Sequence, residues 1–130
     1  MKKYFSEFLK SSWQLEIWSD KKRVYWSKKS GVKGLLDFIK KHKRRFKKLI
    51  IFDKKIGNAA ALLFVYLKTE EVFGAIGSRL AKKTLRKYKI RFYFKKTIPN
   101  ILNKKWNSIC LFEKKSLNKK PEEFYKSLKK

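Results

Sequence analysis

The stretch Leu49–Leu67, LIIFDKKIGNAAALLFVYL, decides the fold. Leu49–Phe52 is a continuous apolar run, the pattern of a central strand covered on both faces. A short charged turn with one glycine, Asp53–Gly57, comes next, and a long apolar helix over Asn58–Leu67 then opens at Asn58-Ala59-Ala60. A strand that feeds a helix start leaves several backbone N–H groups pointing outward without partners, which suits an anion. Open α/β sheets bind ligands at such places, beyond the carboxyl end of a central strand.

The same alternation extends in both directions. Toward the amino terminus, Val32–His42 predicts a helix with Leu35, Leu36 and Ile39 on its apolar face and Val32 and Phe38 at the margins. Before it, Trp13–Trp18 and Arg23–Ser27 alternate around the polar turn Ser19–Lys22 and predict a β-hairpin. Tyr4–Ser11 reads as a short helix, so residues 1–12 form a helical extension of one domain spanning 1–130. Toward the carboxyl terminus, Val72–Ile76 predicts a strand, Gly77-Ser78 opens a helix over Arg79–Tyr88, and Ile90–Phe94 alternates as a further strand. Thr97–Asn100 predicts the start of a short helix carrying Ile101 and Leu102, and Asn103–Glu113 reads as irregular or partly extended. Pro121 opens a final helix to Leu128, with Glu122 and Glu123 at its positive end and Lys126 at its negative end. Strands alternating with helices imply βαβ crossovers and a mostly parallel sheet between helical layers, to which the hairpin adds an antiparallel strand.

Composition sets the outer bounds. Hydrophobic residues make up 43% of 130 residues, with eleven Phe, six Tyr and four Trp, so a packed core is expected. The single Cys excludes an intrachain disulfide and fits a reducing, cytoplasmic setting. The amino terminus lacks a signal peptide's apolar run, and no uncharged stretch reaches membrane-spanning length, so no membrane partner is expected. The net charge is +27, from thirty-seven basic and ten acidic residues. An AT-rich coding bias would raise Lys and Glu together, so the deficit of acid needs its own explanation. A field of this sign draws polyanions through counterion release.

From Trp13 onward the chain resembles a family of small prokaryotic proteins of unknown function with a cytidine-deaminase-like fold. The resemblance is carried by Asp53-Lys54-x-x-Gly57-x-Ala59-Ala60-Ala61-Leu62-Leu63 and, later, by Asn103 followed by Cys110-x-x-Glu113-Lys114. The chain departs from the family pattern at Trp106 and Ser108, where glycines are common, and at Leu111, where proline is common. The resemblance implies a three-layer α/β/α sandwich with five strands ordered 2-1-3-4-5 and strand 1 antiparallel. It implies no known activity. A catalytic deaminase needs zinc on a His or Cys and a Cys-x-x-Cys pair, with a Glu to move protons. One His (His42) and one Cys cannot furnish that set, and Asn58-Ala59-Ala60 stands where the resemblance implies His/Cys-Ala-Glu. Zinc-dependent deamination is thereby excluded, and no metal or cofactor is expected.

Two groups of residues remain as candidates. The first is a ligand site at the strand-to-helix turn: Asp53, Lys54, Lys55, Gly57, Asn58, Ala59 and Ala60, joined by Asn103, Cys110 and Glu113. Gly57 permits close backbone approach or positive φ, and Asn58 is a candidate N-cap. Lys54 and Lys55 flank an anion. Asp53 either caps a backbone group or bonds a ribose or base edge. Glu113 either pairs with a lysine or completes a pocket with Asn103, and Cys110 is either a nucleophile or a small buried hydrophobe. The second group is basic: Lys40, Lys41, Lys43, Arg44, Arg45, Lys47 and Lys48 around Phe46, and the helix face Lys82, Lys83, Arg86 and Lys87. These cations are either phosphate contacts or solvated faces. Three functions are therefore expected as alternatives: a non-catalytic domain holding a nucleotide-like or other anionic small molecule, a sequence-independent RNA or DNA binder, and an enzyme using Cys110. Oligomeric state is not legible in the sequence.

Overall fold

The structure, a computed structural model, describes residues 1–100 and 111–128. The elements run α1 (Lys2–Lys10), β1 (Leu15–Ser19), β2 (Lys22–Ser27), α2 (Lys33–His42), β3 (Leu49–Ile56), α3 (Asn58–Tyr66), β4 (Glu71–Ser78), α4 (Arg79–Lys87), β5 (Arg91–Ile98), α5 (Leu111–Ser116) and α6 (Pro121–Leu128). The five strands form one sheet in the order β2-β1-β3-β4-β5. β1 is antiparallel to both its neighbours, whereas β3, β4 and β5 are parallel. The architecture is the three-layer α/β/α sandwich with strand 1 reversed. Among the described residues, no helix is long and apolar enough to cross a membrane.

The two faces of the sheet are covered unequally. One carries the larger core, where Leu35, Phe38 and Ile39 of α2, Leu62 and Leu63 of α3, Leu85 of α4 and Phe124 of α6 meet Ile17, Ile51 and Val72. On the other face, Phe5 and Phe8 of α1 close over Phe52 and Phe73. Side chains alternate along a strand, so Ile51 and Phe52 serve opposite layers. α3 is apolar all round and buried from Asn58 to Phe64, as befits a helix with the sheet on one side and α5 and α6 on another.

Several boundaries differ from expectation for physical reasons. β3 does not end at Phe52: Asp53–Ile56, expected as a turn, stays extended because β4 pairs it on one side and, at Asp53, β1 on the other. β5 runs to Ile98, carried by its ladder with β4, so Thr97 and Ile98 are strand and not helix. Glu113 lies in α5 and not in an irregular segment. Phe38 sits deep in the core, packed on Tyr25, His42 and Phe46, and not at a helix margin. Alternation puts Trp13 on one side with Leu15 and Ile17, but Trp13 packs on the α1 side, away from both. Ser78, by contrast, opens α4 as the sequence suggests, its hydroxyl accepting from the Ala81 N–H at 3.0 Å.

Candidate functional site

At the carboxyl end of β3 the expected anion is supplied by the chain itself. The N–H of Asn58 donates to Oε2 of Glu113 at 2.8 Å, and the N–H of Ala59 donates to Oε1 at 2.7 Å. Glu113 is buried, and this burial raises its pKa against the opposing pull of those two N–H groups. It caps α3 and fills the site a small anion would take. Gly57 is the N-cap residue, with φ −101° and ψ −175°. Its backbone is ordinary extended chain, so glycine is required for space, because a Cβ there would overlap the Glu113 carboxyl.

Asn58 is accordingly not the cap. Its Nδ2 donates to the Ser116 hydroxyl at 3.0 Å and to the Ser116 carbonyl at 3.3 Å, and its Oδ1 accepts from the Thr84 hydroxyl. One buried amide thus ties α3 to α4 and α5. Lys54 turns to the α1 layer, where its Nζ donates to the Ser11 carbonyl at 2.6 Å and lies 4.9 Å from the Phe8 ring centre. Asp53 is buried, and its Oδ1 accepts from Gln14 Nε2 at 3.0 Å and from the Lys55 N–H at 3.2 Å. Burial outweighs both bonds and pushes its pKa from 3.8 up to about 7. Ala59 and Ala60 are buried in the core. Asn103 and Cys110 lie outside the described residues.

The basic residues gather at the opposite end of the sheet. Pairing places Ser19 beside Leu49 and Lys22, Ile50 beside Glu71, and Glu71 beside Arg91, so the hairpin turn and the starts of β3, β4 and β5 share one edge. Helices α2, α3 and α4 each return to that edge. The block Lys40–Lys48 is there, with Lys68 after α3 and Arg86, Lys87 and Lys89 at the close of α4. Lys82 and Lys83 belong to the earlier part of α4 and stand apart from it. His42 and Phe46 anchor the block, Phe46 stacking on Phe38 and His42 packing tilted against it. Burial, then the Lys41 and Arg45 charges, lower the pKa of His42.

The turns of this edge share an unusual backbone. Asp20, Lys21, Lys43, Lys48, Lys68 and Lys89 all have φ between 49° and 68°. That region belongs by preference to glycine and, less so, to Asn and Asp, and it costs other L-residues about 1 kcal/mol or more. Lys43 lies at φ 53° and ψ −132°. Lysine suits a helix carboxyl end electrostatically, but glycine would suit the backbone better at each of the five lysine turns.

A groove of about 850 Å³ opens within this basic edge, between α2, α3 and α6. Ile39, Tyr66 and Tyr125 form its floor, and Lys40, Lys43 and Arg44 its rim. The Tyr66 and Tyr125 rings lie 4.6 Å apart, and the Arg44 guanidinium sits 4.1 Å over the Tyr66 ring. Asp37, also at the rim, is paired with Lys29. Sequence reasoning identified the cations Lys40, Lys43 and Arg44 but missed Tyr66, Tyr125, Lys21, Lys68 and Lys89. The available signal was topological: in a parallel βαβ array every helix-to-strand turn falls at the same end.

Comparison with known proteins agrees with this architecture. The chain is similar to a solved DUF1893 family protein (TM1506) from Thermotoga maritima, with 28% identity, a TM-score of 0.85 and coverage of 98% of this chain and 86% of that one. No curated protein matches it. The family described as a domain of unknown function (DUF1893), TM1506, matches residues 6–130, and the chain belongs to that family.

Proposed function

We propose that this domain binds nucleic acid through the basic edge at the amino ends of β3, β4 and β5, without regard to sequence. The observation that carries the reading is the convergence of lysines from four separate connections on that edge, held in backbone conformations that glycine would adopt more easily. Strained residues that persist where a cheaper one would serve point to a role outside the fold. The charge of +27 supports the same reading. A small-anion site at the start of α3 is the weaker reading, because Glu113 already uses the Asn58 and Ala59 N–H groups.

Fluorescence anisotropy with a labelled single strand over a salt series tests the proposal. Neutralising about six phosphates predicts that log K falls against log salt with a slope of about −4. A flat response between low and physiological salt refutes it.

A further inference from the structure

Resting on the nucleic-acid reading, we infer that the groove between α2, α3 and α6 is a seat for an unpaired base, so that the preferred ligand is single-stranded. A purely electrostatic surface would need only exposed cations. Here the cations rim a concave, aromatic-floored groove of about 850 Å³, a size that suits a nucleotide-like group. Buried Tyr125 backs Tyr66, Arg44 rests over Tyr66 and pairs with Glu122, and the half-exposed guanidinium is the plane this stack offers a base. Bases of any identity stack on such platforms, and guanidinium groups join the stack.

Lys40 and Lys43 stand at the rim, where the phosphates flanking a seated base would pass. Lys43 also holds a positive-φ turn conformation, with φ 53° and ψ −132°. A duplex keeps its bases stacked and presents only phosphates, so it can use the rim but not the floor. The charge complementarity of rim and backbone and the aromatic floor together select a single strand over other polyanions.

Wild-type protein is titrated, at one low salt concentration, with a labelled oligothymidylate, an abasic deoxyribose-phosphate strand of the same length, and a duplex of the same length. The thymidine strand binds about tenfold more tightly than the abasic strand, the low end of what one stacked base contributes. Tyr66→Leu removes that preference, so that thymidine and abasic strands bind the variant with equal affinity. If that variant fails to fold, the wild-type comparison alone decides. Equal affinity for thymidine and abasic strands overturns the base seat but leaves the polyanion reading intact. No binding to any of the three overturns both.

Discussion

Replacing Glu113 with alanine tests whether the start of α3 is a sealed structural joint. The carboxyl of Glu113 accepts two backbone N–H groups at 2.8 and 2.7 Å inside the protein. Its removal leaves both donors buried and unpaired, and each charge-assisted bond is worth about 1.5–3 kcal/mol. Partial entry of water reduces the sum, so a loss of about 3 kcal/mol is expected, with a fall in Tm of about 10 °C. A domain of this length holds roughly 6–20 kcal/mol, so the variant stays folded and measurable by urea denaturation. The cavity then exposes the helix-start donors to solutes. Formate at about 100 mM, binding with a Kd of about 10 mM, restores about 1.4 kcal/mol to Glu113→Ala. Chloride at equal ionic strength controls for general screening of the positive charge. Gly57 supplies a second arm: Gly57→Ala destabilises the wild type through collision with the Glu113 carboxyl but is tolerated once Glu113 is alanine. If Glu113→Ala costs less than about 1 kcal/mol, or the two substitutions add without coupling, the capping account is wrong.

Asp53 governs a pH dependence. The folded protein holds its proton more tightly than the unfolded chain does, with a pKa of about 7 against 3.8. Its contribution is therefore fully present below pH 3.8 and is lost as pH rises through about 7. Asp53→Asn keeps an oxygen for Gln14 and the Lys55 N–H and cannot ionise. Its stability relative to wild type should rise by about 3 kcal/mol between about pH 5 and pH 8, and parallel pH profiles would contradict this. At the basic edge, combining Lys43→Gly, Lys68→Gly and Lys89→Gly should raise Tm by relieving positive φ while reducing the magnitude of the salt slope by about 2. A variant with unchanged binding would show these lysines to be helix-end charges only.

Local pattern made most elements legible. The apolar run Leu49–Phe52, the apolar helix behind it and the Ser78 cap are each written within a few neighbouring residues. What the sequence left hidden depends on distant partners. Asp53–Lys55 looks like a turn because three charged or polar residues follow one another, yet strand pairing on both sides of Asp53 keeps it extended. Glu113 was legible as a candidate at the turn, but its task depends on a helix start more than fifty residues earlier in the chain, at Asn58 and Ala59. The basic block was visible as a charge run. That it shares an edge with Lys21, Lys68 and Lys89 follows only from strand direction, and the pairing of Tyr66 with Tyr125 only from the docking of α6 on α3.

The closure of α3 by Glu113 also sets an order of assembly. Every described strand and the four helices α1–α4 precede residue 100, but the cap of the central helix and part of its apolar cover arrive with α5 and α6. A chain emerging from the ribosome can pair its strands while α3 still shows an uncapped start and a bare hydrophobic flank. Such a chain is open to chaperones and to aggregation until its last two helices dock. The carboxylate that closes α3 is thus made only after every residue of the helix it caps.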